Sequence, residues 1–281
     1  MKPSVTSKLD LLLPNKLLDY PSPSSSRLLN VPGVHNLRDL GGLPTRFGRI
    51  KRGKVFRSAQ PGTITPAGAQ ALRSLGIKTI FDLRSKGEAE ALDPSLRVKQ
   101  VNGIRRVAVP VFARHGSSRS RIKSYAMGET GFRKKYRDIL TSGGLAFRPV
   151  LQDIRDNGSS GCLFHCTLGR DRTGILSAVI LALVGVDDAT IELDYCLSDQ
   201  GLADWRPALR GIVLRMEPGL FGVGEVENIL SVRALRLTDT LGFMRRRYGS
   251  VEGYVRSCCG LDEGDIEAIR GNLLEKSGIS F

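Results

Sequence analysis

Histidine is scarce in this 281-residue chain. The three that occur, His35, His115 and His165, are scattered without ligand spacing, which excludes a His-rich metal site. Cysteine is sparse too. Cys162, Cys166, Cys196, Cys258 and Cys259 are odd in number and irregular in spacing, so no disulfide framework is expected. Cys258 and Cys259 read as small hydrophobes near a helix end. No apolar run approaches the ~20 residues that span a bilayer. The leucine clusters of the N-terminus are broken by Asp, Pro and Lys, too interrupted for a signal peptide, so a cytoplasmic protein is expected. No period of 20–50 residues recurs, which excludes repeat architectures. Acidic side chains are the last shortage: 28 Asp and Glu face 42 Lys and Arg, a net charge of +14. Between Arg97 and Arg137 twelve basic residues face one acid, Glu129. Such a balance fits an anionic partner or substrate.

The chain is long enough for one large domain with an ample core. Residues 1–28, rich in Ser and Pro, read as an N-terminal extension, and 29–281 as a single domain. "KVFRSA" (54–59) predicts a strand. "TPAGAQALRSLG" (65–76) predicts a helix, with Thr65 as its N-cap, Pro66 in its first turn and Gly76 as its stop. "IKTIFDLR" (77–84) is a β-branched apolar run, hence a second strand parallel to the first. Ser85 and Glu88 then offer a capping box. "RRVAVPVF" (105–112) reads as a third central strand. The basic stretch 113–140 reads as an insertion or lid, part loop and part exposed helix. "LAFRPVLQDIRDNG" (145–158) predicts an amphipathic helix, "GCLFHC" (161–166) a buried strand, and "RTGILSAVILALVGV" (172–186) a buried helix. From Asp187 to residue 278 the pattern is helical, with caps at Ser250 and Asp262. The expected fold class is α/β: a central, mostly parallel sheet flanked by helices, with a helical C-terminal part.

"HCTLGRDRTG" (165–174) therefore sits between the C-terminal end of a strand and the start of a buried helix. Open α/β sheets bind ligands there. Backbone N–H groups at a helix start lack intrahelical partners, and a tight loop can turn several of them onto one anion. Gly169 permits the tight backbone, and Gly174 a close approach of helix to sheet. Cys166 at the base of this cradle is favoured as thiolate by the N–H groups, the helix dipole and Arg172. A thiolate attacks phosphorus well, while the planar fork of Arg172 can grip two phosphate oxygens. Thr173 can donate a hydroxyl hydrogen bond to the sulfur as it leaves in a second step.

The loop resembles the HCxxGKDRTG signature of a tyrosine-phosphatase-like family of bacteria and fungi, within the cysteine-dependent tyrosine and dual-specificity phosphatases. "NLRDLGG" (36–42), "VFRSA" (55–59), "FDLRS" (81–85), "DYCLSD" (194–199) and "YGSVEGYV" (248–255) are similar to further stretches of that family. The resemblance covers about residues 31–275. It implies a protein-tyrosine-phosphatase-like fold, a phosphocysteine intermediate and no metal or other cofactor. It also implies activity on phosphotyrosine, in some members on phosphoserine, phosphothreonine or phosphoinositides. Arg170 stands where the family usually carries Lys, and Leu37 where it carries Phe.

Substrate contacts are expected from Thr167, Leu168, Gly169, Arg170 and His165. The leaving oxygen needs a general acid. Asp171, inside the loop, and Asp82, at a strand's C-terminal end, are the candidates, with Asp171 favoured. Asp138, Asp153 and Asp156 fall in amphipathic helices and read as surface residues. His165 is expected to hydrogen-bond the loop, Cys162 to be core, and Trp205 to be packing. The partner would be a phosphorylated protein, lipid or small molecule rather than nucleic acid, and peripheral contact with an anionic membrane is compatible with the charge. A non-catalytic phosphate-binding module, a metabolite phosphatase and a sulfur-transfer enzyme stand as alternatives.

Overall fold

The computed structural model describes residues 27–91, 100–112, 118–216 and 218–275. Its centre is a five-stranded sheet ordered β1 (Arg38–Asp39), β4 (Val55–Ser58), β7 (Gly161–His165), β5 (Ile77–Asp82), β6 (Arg105–Ala108). β1 runs antiparallel to β4, and the other four strands are mutually parallel. A small hairpin of β2 (Pro44–Thr45) and β3 (Gly48–Arg49) stands apart. The register sets Ser58 and Asp82 on either side of His165, so three strands end in one row. That row is the sheet edge at which the 165–174 loop begins.

Strand residues alternate between two cores, as the two-residue period of a pleated strand requires. Phe56, Leu163 and Ile80 face one cluster with Leu72 of α1 (Pro66–Ser74). Val55, Phe164 and Phe81 face the other, filled by α4 (Glu129–Asp156) and α5 (Asp171–Leu183). α5 is buried nearly all round, so it needs no polar face. The later helices, α6 (Asp188–Gly201), α7 (Arg206–Met216), α8 (Val223–Leu230), α9 (Leu235–Tyr248), α10 (Val251–Tyr254) and α11 (Glu263–Leu273), complete the helical C-terminal part. Among the described residues no helix is long and apolar enough to cross a membrane.

The expected caps form. Thr65 Oγ1 accepts from the Gly68 N–H, Ser250 Oγ from Gly253 and Asp262 Oδ1 from Asp265. Ser85 and Glu88 make a reciprocal box at the head of α2 (Lys86–Ala91). Cys259 is buried in the helical core, and Cys258 packs beside it.

Three expectations change. β6 is an edge strand, mostly exposed, and ends at Ala108, although Val109 N and Val111 N still donate to Asp82 O and Leu83 O beyond it. The stretch 113–140 is not a lid over its full length. Residues 113–117 lie outside the described residues, and α3 (Ser118–Ala126) follows. From Glu129 onward the chain is the first part of α4, with Phe132, Tyr136, Ile139 and Leu140 fully buried. Their spacing of four, three and one is a core-facing helical stripe, hidden in the sequence by the basic residues between them. The N-terminal boundary also moves. Arg27 and Leu28 join the fold, Leu28 bridging Arg38 and Arg27 binding Asp194, while 1–26 lie outside the described residues.

Candidate active site

Six successive carbonyls of the 165–174 loop are bonded outward. His165 O accepts from Leu83 N at 2.8 Å, Thr167 O from Gln60 N at 3.1 Å and Arg170 O from Gly174 N at 2.7 Å. Cys166 O lies 3.0 Å from His165 Nδ1, which must carry a proton to donate there. Asn36 Nδ2 donates to Leu168 O (3.0 Å) and Gly169 O (3.2 Å), and Arg57 Nη2 donates to Gly169 O at 2.8 Å. With the carbonyls engaged, the N–H groups of residues 167–172 find no acceptor among the described residues and are the donors left for an anion. That is an anion cradle at the start of α5, where the helix dipole adds to it. Gly169 sits at φ +63°, and a Cβ there would lie 2.1 Å from Ser58 O, so only glycine fits the turn.

Cys166 is buried at the base of this cradle. The Arg172 guanidinium is fixed by Glu88: Nη1 donates to Oε2 at 2.7 Å and Nη2 to Oε1 at 2.8 Å. Burial alone would lower its pKa, but Glu88 and Cys166 outweigh that and drive it above the ordinary value. Glu88 occupies the Nη1–Nη2 edge. The Nε–Nη2 edge remains as a planar fork for two oxygens. The Thr173 hydroxyl is buried with no partner among the described residues, as a donor reserved for the sulfur would be.

Glu88 was legible only as a helix cap, yet it does both jobs, since Ser85 N and Oγ donate to the same Oε2. Glu88→Gln separates them. Glutamine keeps an acceptor for the cap but loses the charge opposite Arg172. The expected result is an increase of roughly 10-fold or more in KM for an aryl phosphate and in the vanadate inhibition constant, with melting temperature within a few degrees of wild type. Unchanged kinetics would reduce Glu88 to its cap.

The two candidate acids differ in their surroundings. Asp82 receives Arg84 Nε (2.9 Å) and Nη2 (2.8 Å) and Arg106 Nη2 (2.8 Å), with His165 Nδ1 3.8 Å away. Burial would raise its pKa. The His165 ring and the two guanidiniums overcome this and hold the carboxyl far below the usual range. Burial itself pushes the His165 imidazole down, toward the neutral form. Asp171 takes Arg170 Nε (3.0 Å) and the Tyr136 hydroxyl (2.6 Å) on Oδ1, and Arg170 Nη2 (3.2 Å) on Oδ2. Its pKa is also lowered: burial opposes, but Arg170, Tyr136 and Arg236 prevail. Asp138, Asp153 and Asp156 pair with Lys135, Arg105 and Arg155 on α4 and its neighbours, away from the loop. Asp153 is buried rather than a surface residue.

Arg170 departs from expectation. It is 1% exposed, and its remaining donor group, Nη1, bonds Ile229 O (2.9 Å) and Ser231 O (3.1 Å). The side chain faces the helical layer instead of the cradle. Trp205 packs, as expected, stacking on His35 at 5.0 Å.

Behind the loop lies a buried ionic layer. Asp194 of α6 binds Arg38 Nε (3.1 Å), Arg57 Nη1 (2.8 Å) and Arg27 Nη1 (3.0 Å). Arg38 Nη1 in turn donates to Asn36 Oδ1 at 2.6 Å, which orients the amide that braces the loop. Asn36 sits at φ 56°, a left-handed conformation that asparagine tolerates. Four of the sequence stretches singled out above, around Asn36, Arg57, Cys166 and Asp194, thus converge on one structure. Their chemistry was hinted at by arginines inside strands otherwise destined for the core.

The chain is 29% identical to a provisionally named tyrosine-protein phosphatase of Cupriavidus necator, across 86% of each protein. It is 27% identical to the triple specificity protein phosphatase PtpB of Mycobacterium tuberculosis, across 87% of this chain and 98% of PtpB. It is 28% identical to a tyrosine-protein phosphatase of Nostoc commune, across 77% of this chain and 73% of that protein. The model of the tyrosine phosphatase family matches residues 29–275, nearly the whole described fold, and the chain belongs to that family.

Proposed function

We propose that the protein hydrolyses phosphomonoesters, with phosphotyrosine as the preferred class, through a phosphocysteine intermediate. The observation that carries this reading is the run of N–H groups after Cys166 that have no acceptor among the described residues, with the Nε–Nη2 edge of Arg172 not taken up by Glu88. In the first step the Cys166 thiolate attacks phosphorus and the bond to the leaving oxygen breaks. The three equatorial oxygens are held by the loop N–H groups and Arg172, which need not reorganise as charge shifts. In the second step water attacks the phosphocysteine, and the Thr173 hydroxyl stabilises the departing sulfur. Phosphoserine, phosphothreonine and phosphoinositides are further substrates within this reading. A phosphate-binding module would need neither an intact Cys166 nor the orphan Thr173 hydroxyl.

Asp171 is the proposed proton donor to the leaving oxygen. Asp82 is clamped by two guanidiniums, whereas Asp171 has one, and an incoming phosphate dianion raises the pKa of a neighbouring carboxyl. Turnover of an aryl phosphate without added metal, insensitive to EDTA and blocked by vanadate or iodoacetate, tests the main reading. Absence of turnover on every phosphopeptide, phosphoinositide and aryl phosphate would refute it. Asp171→Asn tests the acid. It should slow phenyl phosphate much more than an activated aryl phosphate, because only the poor leaving group needs the proton. An equal loss on both would make Asp171 structural, and selective loss in Asp82→Asn would transfer the role.

A further inference from the structure

We propose that Arg170 is a positioning residue that locks the Asp171 carboxylate and the C-terminal end of α8 to the phosphate loop, and is not itself a phosphate ligand. The inference deepens the phosphatase reading and rests on it. Of the five guanidinium N–H donors, four have protein acceptors: two on Asp171, one on Ile229 O and one on Ser231 O. The Phe132 ring lies 5.3 Å and the Tyr125 ring 6.0 Å from its central carbon, closing the cavity around it. The carbonyls it reaches lie at the end of α8, where intrahelical donors run out and a cation is favourable. One planar fork thus joins loop, acid and helix. A lysine, with a single point charge, cannot hold Asp171 in a bidentate pair and still span both carbonyls.

The groups facing Asp171 come from four elements. Arg170 lies in the loop. Tyr136 of α4 donates to Asp171 and is itself 2.6 Å from Tyr195 Oη of α6. Arg236 of α9 approaches from the same side and is balanced by Glu129, to which its Nη2 donates at 2.8 Å. Arg170 alone forms a bidentate ion pair with the acid. Removing it should therefore change the proton affinity of Asp171 more than any other single substitution at the site.

The test compares Arg170→Met and Arg170→Lys with the wild type. For a poor leaving group, kcat falls as pH rises through the pKa of Asp171, since the acid must be protonated. In Arg170→Met that descending limb should move to higher pH by about one unit or more. KM and vanadate inhibition should change less than about threefold, because the cradle and Arg172 are intact. Arg170→Lys should keep the limb near its wild-type position while amide exchange at residues 229–231 accelerates at least ~3-fold, the tether being lost. An unmoved limb in Arg170→Met, or a ~10-fold weakening of vanadate, would overturn the proposal. If Arg170→Met fails to fold, Arg170→Gln removes the charge while keeping a donor, and reads the same limb. Carboxyl-carbon NMR of Asp171 reports its titration without turnover. An inactive wild type whose Asp171 still titrates higher in the variant would sink the phosphatase reading and leave the positioning role standing.

Discussion

Cys166→Ser is expected to abolish turnover, by ~10⁴-fold or more, while leaving phosphate-site binding intact. The expectation comes from dividing the site into nucleophile and cradle. The cradle is backbone: six carbonyls tied to other groups and the N–H groups of 167–172 left without an acceptor among the described residues. None of those bonds involves Sγ. Arg172 is held by Glu88 whatever stands at 166. Serine therefore keeps the shape and donors of the site and loses the thiolate, since a hydroxyl is not ionised near neutrality. Vanadate or a non-hydrolysable phosphonate should still raise the melting temperature of the variant, as any ligand of the folded state does. Cys162 is the control. It is buried four residues earlier in the core, where burial pushes its thiol up, away from ionisation. Cys162→Ala should keep turnover per folded molecule. Retention of more than about 1% of activity in Cys166→Ser would mean that another group attacks phosphorus.

Much of the frame was readable because local signals there agree with tertiary packing. Thr65, Pro66 and Gly76 bracket α1, and the apolar runs at 161–166 and 172–186 bracket the loop. Where one residue serves two purposes, the simpler purpose hid the other. Glu88 satisfies a capping pattern completely, so nothing in the sequence required a second partner. α4 was under-read because its buried stripe of Phe132, Tyr136, Ile139 and Leu140 is interleaved with Arg133, Lys134, Lys135 and Arg137. Arg133 is spent on Asp239 of α9, a contact that only the fold creates, and Lys135 on Asp138 one helical turn ahead, so the basic cluster is partly neutralised. The direction of Arg170 was unreadable for the same reason: its acceptors at 229 and 231 lie some sixty residues along the chain.

Asp194 offers the second large effect. Asp194→Asn should destabilise the protein by ~3–5 kcal/mol, the cost of breaking a buried ion pair from one side. Arg38, Arg57 and Asp194 are all fully buried, and Arg27 adds a third cation at the edge. Asparagine fits the space but leaves two guanidiniums uncompensated in the interior. For a domain of this size that corresponds to a drop of roughly 6–20 °C in melting temperature. The pH dependence follows from the sign of the shift. Burial would raise the pKa of Asp194, but Arg38, Arg57 and Arg27 hold it far below the ordinary carboxylate value. A depressed folded pKa gives stability that is complete above the unfolded value, near 3.9, and is lost as pH falls toward the folded one. The stability gap between wild type and Asp194→Asn should therefore be flat from neutrality to about pH 5 and narrow only below it. The loop should loosen with it, because Arg57 holds Gly169 O and Arg38 orients Asn36. At a temperature where the variant is fully folded, its vanadate affinity should fall along with its turnover. A variant with wild-type melting temperature and wild-type affinity would show that the ionic layer neither supports the fold nor shapes the cradle.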